Sequence, residues 1–352
     1  MKKAINRELH FLTEFQHFII ASKKGKRIKK DGTKINMGSI KKLESTYHLL
    51  QDFMLNKNFQ LRIKILQKNV REISVEKNYW KRFYRIFTDY LYDDLGCFDN
   101  YVGSVIKDIR TFFNYLTKDR NLTIGSFHQN FYIRKENIQI LTLQPEQLES
   151  LIHTTVFDNN SRKTMLKVRD VFVAGCSVAL RYSDLINLNR SNLQVYNGQY
   201  YLVTQSKKTN IYTQIKLPEY VVKIFKQHSQ KKNRLLPYFN LAQLDKHLKK
   251  LAEQMGWVQE VVKTRQKRGK AIVIYKDVKT MTNYRFCDLV SSHTMRRTAI
   301  TTMLRLGMPE HLVRKISGHA PNSIEFHKYV SVAQNYLDLE TDKMFAKLEI
   351  TG

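Results

Sequence analysis

Residues 292–305 read Ser-His-Thr-Met-Arg-Arg-Thr-Ala-Ile-Thr-Thr-Met-Leu-Arg. Met295, Ala299, Ile300, Met303 and Leu304 recur at three- and four-residue spacing, so the stretch reads as a helix with one apolar face. Ser292 suits its N-cap. His293 and Arg296, three apart, then share a face at a helix N-terminus, where free backbone N–H groups already favour an anion. A His-x-x-Arg at a helix start is ordinary surface chemistry when it stands alone. Its meaning depends on what surrounds it.

Downstream, Ile316-Ser317-Gly318-His319-Ala320-Pro321 follows a short helix that begins at Met308-Pro309 and is stopped by Gly318. Ten residues after His319 comes Tyr329, in Phe326-His327-Lys328-Tyr329-Val330, one of 19 tyrosines. Upstream, Met165, Val168, Phe172, Gly175 and Ala179 mark a buried helix ending at Arg181, and Ser183 reads as the cap of the next one. An Arg emerging from an apolar helix end is either a paired structural residue or a phosphate clamp, and Asp184 is its natural partner in both cases. Asn197-Gly198 between Leu193–Tyr196 and Tyr200–Val203 is a strong hairpin signal. Gln205-Ser206-Lys207-Lys208-Thr209-Asn210 forms a second turn leading to the strand Ile211–Leu217, giving a three-stranded antiparallel sheet among helices. Val261-Val262 and Ala271–Tyr275 suggest one more hairpin around Gly269.

Residues 36 to about 118 read as helices, with Tyr47, Leu50, Phe53 and Met54, then Phe83, Ile86, Phe87 and Tyr90, then Val102, Val105, Ile106, Ile109, Phe112, Phe113 and Leu116 at helical spacing. No proline precedes Pro145. The fold class expected is mainly α with a small β-sheet, in two domains. The expected divisions are a basic segment 1–35, a helical domain 36–120, a linker 121–134, and a mixed α/β domain 135–352 with a tail from about 331. Six of the eight residues Lys23–Lys30 are basic, which reads equally as a solvated loop and as an arm tracking a nucleic-acid backbone.

The chain has 352 residues with 60 Lys and Arg against 31 Asp and Glu, a formal charge of +29 that favours an anionic partner, nucleic acid before membrane. With 42% hydrophobic and 11% aromatic residues it can bury a large core, which argues against disorder. Cys97, Cys176 and Cys287 are isolated, forming neither a zinc pattern nor a disulfide framework, and a reducing cytoplasm is expected. The longest apolar run, Val171–Leu180, is about half a membrane span, and the N-terminus lacks the pattern of a signal peptide.

Taken in order, Arg181, Lys208, His293 with Arg296, His319 and Tyr329 resemble the signature of the tyrosine recombinases, the phage-integrase family of DNA-cutting and rejoining enzymes. The resemblance covers about residues 135–345. The helices at 36–118 resemble the family's core-binding domain on pattern only. The strings Gln205–Thr209 and Ser291–Thr298 resemble integrases of mobile elements and DNA invertases of Bacteroides-type bacteria. Two departures stand out. Ten residues rather than the commoner nine separate His319 from Tyr329, leaving Tyr336 as the rival nucleophile, and Lys207 competes with Lys208.

The resemblance implies a division of labour that suits the chemistry. Arg181 and Arg296 grip the non-bridging oxygens of a phosphodiester with planar guanidinium forks. His293 takes the proton of Tyr329, His319 hydrogen-bonds the phosphate, and Lys208 protonates the 5′-oxygen leaving group. Asp184 supports Arg181 or a histidine. A 3′-phosphotyrosyl intermediate stores the phosphoester bond, so no ATP, metal or other cofactor is expected, in keeping with a sequence that shows no Walker loop. The expected partners are double-stranded DNA, further copies of the chain as dimer to tetramer, and accessory DNA-bending or directionality proteins, in the bacterial nucleoid and without a membrane. The expected outcome is integration or excision of a mobile element, or DNA inversion. The alternatives are nicking and relaxation of the type IB topoisomerase kind and a non-catalytic DNA-binding protein on the same fold.

Overall fold

The computed structural model describes residues 8–29, 31–67, 70–155, 157, 159, 161–206, 211–230, 233–320 and 323–349, of which 335–337, 339–340 and 347–349 by backbone alone. Lys207 and Lys208 therefore lie outside the described residues. The chain divides into two compact units, Met1–Ile138 with Thr264–Val273, and Gln139–Lys263 with Ile274–Gly352.

The first unit is helical because its apolar residues recur every three or four positions. Helix α1 (Phe11–Lys23) starts at His10, whose Nδ1 accepts from the Thr13 amide, and buries Phe11, Phe15, Phe18 and Ile19. Helix α2 (Met37–Asn56) is capped by Asn36, whose Oδ1 accepts from the Ser39 amide at 2.8 Å. Helices α3 (Val70–Asp89), which runs on into a π-helical turn at Tyr90–Asp94, and α4 (Asp99–Lys118) complete the set. Strands β1 (Glu8–His10) and β2 (Arg62–Lys64) pair antiparallel beside them. The core is aromatic: Phe15 stands 4.8 Å from Phe112 and Trp80 4.8 Å from Phe113, ring centre to ring centre. Thus the apolar stretch ahead of the basic run belongs to this core. So do Ile124 and Phe131 of the 121–134 stretch, both buried among the same aromatic residues.

A two-stranded hairpin, Lys263–Lys267 with Lys270–Ile274, turns at Arg268 and Gly269, both with positive φ (54° and 80°) as a tight hairpin turn requires. Its place is a departure from the sequence expectation, which put it in the 135–352 domain, because Thr264–Val273 belongs to the first unit. The reason is electrostatic. The amides of Arg268 and Gly269 each donate to the buried Asp99 carboxylate at 2.8 Å, and the Arg268 guanidinium donates to Asp89 and Asp93 at 2.7 Å. Arg265 makes a two-pronged bond to the buried Glu136. Val261 pairs with Tyr284, not with the 271–275 stretch.

The second unit is built around α6 (Arg162–Val178), preceded by α5 (Pro145–His153) and followed by the single turn α7 (Tyr182–Leu185). Strands β3 (Leu193–Tyr196), β4 (Gln199–Gln205) and β5 (Tyr212–Lys216) form the expected antiparallel sheet, with Tyr196 opposite Gln199 across Asn197-Gly198. Then come α8 (Glu219–Ser229), α9 (Leu241–Gln254), α10 (Phe286–Leu289), α11 (Ser292–Arg305), α12 (Glu310–Ser317) and α13 (Ile324–Glu349). Helices with small antiparallel sheets are thus the fold class, as the sequence indicates. Two caps differ from expectation. Ser291 rather than Ser292 caps α11, because the Ser292 amide is taken by Asp245 at 2.7 Å, and Arg181 rather than Ser183 occupies the cap position of α7.

Helix α11 crosses α6 at Gly175, where an added Cβ would lie 2.5 Å from Met295 Sδ and 3.1 Å from Leu185 Cδ2. The Gly175→Ala variant should lose about 1–3 kcal/mol by overpacking, despite alanine's better helix propensity. Urea denaturation of the full-length protein checks this as a lower midpoint.

Candidate active site

The site forms where α6 ends. Ala179 takes the left-handed conformation (φ 53°), turning the chain sharply so that Arg181 leaves the apolar core, half-buried, at the head of α7. The Ala179 carbonyl, left without a helical partner by that turn, accepts from Arg296 Nη1 at 2.8 Å. Arg296 sits in the first turns of α11 and is only 3% exposed. Its other terminal nitrogen, Nη2, lies 3.2 Å from His319 Nε2 and 3.4 Å from His319 Nδ1.

Gly318 caps α12 in the left-handed conformation (φ 63°), and the His319 amide bonds back to the Arg314 carbonyl, which aims the imidazole inward. Its Nδ1 is 2.7 Å from Ser317 Oγ. The ring centre of Tyr329, on α13, is 5.9 Å from that of His319, and Tyr329 packs with Phe326, Ala179, Ala299, Ile300 and Val313. On the opposite side, Arg181 Nη1 donates to Ser206 Oγ at 3.1 Å, and Ser206 in turn reaches Asp184 Oδ2 at 3.4 Å. Both Ser206 and Asp184 are buried. Ser206 follows the last residue of β4, and its amide bonds to the Ile211 carbonyl.

Six of the seven residues expected from sequence thus converge: Arg181, Asp184, His293, Arg296, His319 and Tyr329. The seventh, Lys208, lies outside the described residues. Ser206, Ser317 and the Ala179 carbonyl were not singled out as site residues. The two serines are signalled only by adjacency, since each lies within two residues of an expected site residue.

The electrostatics are one-sided. Burial, and then the neighbouring Arg181, lowers the Arg296 pKa to about 10, still charged at neutral pH; Tyr329 and Asp184 oppose the shift. Burial, followed by Arg296, Arg181, Arg314 and His293, pushes His319 down to about 3. His293 is exposed at the surface, yet its ring is partly desolvated. That desolvation, with Arg297, Arg296 and Arg181, shifts its pKa downward as well. Cations forced together, with Asp184 the carboxylate that acts on Arg296 among the described residues, make a place that an anion stabilises. Among the described residues, no group of three His, Cys, Asp or Glu side chains is placed to hold a metal, and no helix is long and apolar enough to cross a membrane.

Comparison with known proteins agrees with this geometry. Residues 142–335 match the phage integrase family. No curated protein matches the sequence. The fold is similar to that of the XerH site-specific recombinase bound to its palindromic difH substrate after cleavage (TM-score 0.54, 13% identity, 94% of each chain covered). It is also similar to the Tn1549 transposon integrase in complex with transposon right end DNA (TM-score 0.55, 13% identity, 95% of this chain and 99% of that one). A lambda integrase dimer bound to a core site gives a TM-score of 0.52 at 10% identity, covering 94% and 95%.

The lowered His319 pKa carries a sign for stability. Its folded value of about 3 lies below the ordinary 6.5, so the unfolded chain binds the proton first. The stabilisation is complete above about pH 6.5 and is lost as pH falls toward the folded value. Urea midpoints measured from pH 7.5 down to 4.5 should fall, and His319→Gln should flatten that slope.

Proposed function

The chain belongs to the phage integrase family, and on that premise we propose that it is a site-specific DNA recombinase that breaks and rejoins strands through Tyr329. The observation that carries this reading is the gathering of Arg181 and Arg296 beside His319, whose ring centre is 5.9 Å from that of Tyr329.

The step balances as a transesterification. The Tyr329 oxygen attacks phosphorus, a 3′-phosphotyrosyl bond forms, and the bond to the 5′-oxygen breaks. His293, kept unprotonated by burial and then by Arg297, Arg296 and Arg181, accepts the tyrosine proton. Lys208, two residues beyond Ser206, supplies a proton to the leaving oxygen. The arginines stabilise the charge that builds on the non-bridging oxygens. Asp184 and Ser206 hold Arg181 from behind. Reversal of the step on a new 5′-hydroxyl exchanges strands.

The +29 charge of the chain far exceeds what the reaction uses, and the rest suits a duplex backbone. The DNA-bound recombinases that share the fold support the same partner, and the lambda integrase dimer supports self-association; the tail beyond residue 331 is the segment assigned to it. The strings Gln205–Thr209 and Ser291–Thr298, which resemble those of mobile-element integrases, favour integration, excision or inversion in the nucleoid over simple relaxation.

A suicide DNA substrate nicked near the cleavage position tests this. The wild-type protein should form an adduct that survives boiling in detergent, and Tyr329→Phe should form none, whereas Tyr336→Phe should retain it. Arg296→Lys should lower the adduct rate by roughly 10²–10³, because a point charge cannot replace the fork. Of Lys208→Ala and Lys207→Ala, the first should show the larger loss. Binding should weaken steeply with salt, while the cleavage defect of Tyr329→Phe should not vary with it. An adduct formed by Tyr329→Phe overturns the assignment.

A further inference from the structure

The basic run that follows α1 is folded back on itself. Gly25, with φ 68°, turns the chain out of the helix, and Ile28 and Lys34 then pair as an antiparallel bridge. Inside it the Lys29 amide bonds to the Thr33 carbonyl at 2.8 Å and the Gly32 amide to the Lys29 carbonyl at 3.0 Å. Apolar burial does not hold this turn, since Ile28 is 57% exposed. Polar bonds do. The Thr33 amide and hydroxyl both donate to Asp31 Oδ1, at 3.0 and 2.6 Å, and Lys29 Nζ donates to the same hydroxyl at 3.1 Å. Arg27 anchors the turn: its Nη1 donates to the buried Ser22 Oγ at 3.0 Å, and its guanidinium lies 4.2 Å from the centre of the buried Phe18 ring. An added Cβ on Gly25 would lie 3.2 Å from Lys34 Cε, so the Lys34 stem runs against the backbone between Lys24 and Lys26. Lys24, Lys26, Lys29 and Lys34 are all exposed. Lys23 pairs with Glu44, whereas among the described residues no ion pair engages those four. Like charges gathered on one turn repel one another, and an anion carrying several charges in a row relieves that repulsion.

Resting on the recombinase reading above, we propose that the turn made by residues 24–29 and 31–34 is a preshaped finger that grips the backbone of duplex DNA without reading its sequence. Lys24, Lys26, Lys29 and Lys34 meet phosphates, and Arg27 is the positioning residue. Phosphates along a strand are evenly spaced, so cations already fixed in one arrangement engage several at once with little further ordering. A lysine head is a point charge that suits a phosphate, but it lacks the planar fork that reads guanine. Arg27, the one arginine between residues 23 and 34, has that fork and turns it inward onto Phe18 and Ser22. The finger therefore supplies grip and no base readout. Phe18 belongs to the aromatic core of the first unit, so the finger is fixed to that core and does not act as a tethered arm.

The test is fluorescence anisotropy of the full-length protein on two labelled duplexes, one A·T-rich and one G·C-rich, across a salt series. Each of Lys24→Ala, Lys26→Ala, Lys29→Ala and Lys34→Ala should reduce the log–log salt slope by about 0.9, and the quadruple variant by about 3–4, equally on both duplexes. Lys23→Ala removes the same charge from the same run, at a residue held by Glu44, and should change the slope by less than about 0.3. Arg27→Gln should reduce the slope by about 2 or more although it removes one charge, because the lysines lose their anchor. Arg27→Lys keeps the charge without the fork and should not restore the slope. A quadruple variant with the wild-type slope overturns the proposal, and so does a loss confined to one duplex. An Arg27→Gln loss no larger than that of a single lysine, or a wild-type slope in Arg27→Lys, overturns the positioning role. Wild-type binding to phosphatidylglycerol vesicles that the quadruple variant loses, with DNA binding unchanged, assigns the finger to a membrane surface instead. None of these readouts needs cleavage. A wild type that forms no adduct on the suicide substrate therefore defeats the recombinase reading, while the salt slopes still decide the finger.

Discussion

The hydrogen bond from Arg296 Nη1 to the Ala179 carbonyl joins the two helices on which the site depends. A helix that ends in a left-handed residue leaves carbonyl groups without partners, and here one of them is buried. A buried guanidinium has donors that must be satisfied in the same way. Each need answers the other. The bond ties the first turns of α11 to the end of α6, and the same turn at Ala179 delivers Arg181 to the rim. The close approach at Gly175 lets the two helices come together, placing both arginines on one side of the second unit. The cost is burial of these groups together with a local excess of positive charge, and both, burial first, lower the pKa values of Arg296 and the two histidines.

Most of this was legible in the sequence because it is written in local patterns. The apolar face of 292–305, the Asn197-Gly198 turn and the stop at Gly318 each specify an element through spacing or backbone conformation. Six candidate side chains were named from the order of motifs, and they converge. The serines were harder to see, because a buried hydroxyl has no periodicity. Ser206 and Ser317 matter through one neighbour each, and only coordinates supply the 3.1 Å and 2.7 Å contacts. Cap positions slipped by one or two residues at Ser291 and Arg181 because competing partners, such as Asp245 for the Ser292 amide, are distant in sequence.

Larger divergences arose where long-range contacts override composition. Residues 121–134 are polar and short of regular pattern, which marks a connector. Yet Ile124 and Phe131 fill space left by Trp80 and Phe113 in an aromatic core. The basic run after α1 drew attention away from Phe11, Phe15 and Phe18, which close that same core. Charge is conspicuous in a sequence, but three buried phenylalanines at helical spacing decide where the segment goes.

The hairpin at Arg268-Gly269 gives the first unit a discontinuous sequence. Asp99 and Glu136 are buried carboxylates whose partners come from residues more than a hundred positions later. A polypeptide ending at residue 138 would therefore hold two desolvated negative charges stripped of the N–H groups that neutralise them. For anyone grafting the first unit of this chain onto a different second unit, the transferable module is not a contiguous stretch. It is 8–138 plus a ten-residue loop, and the loop's two arginines must travel with the four acids that receive them.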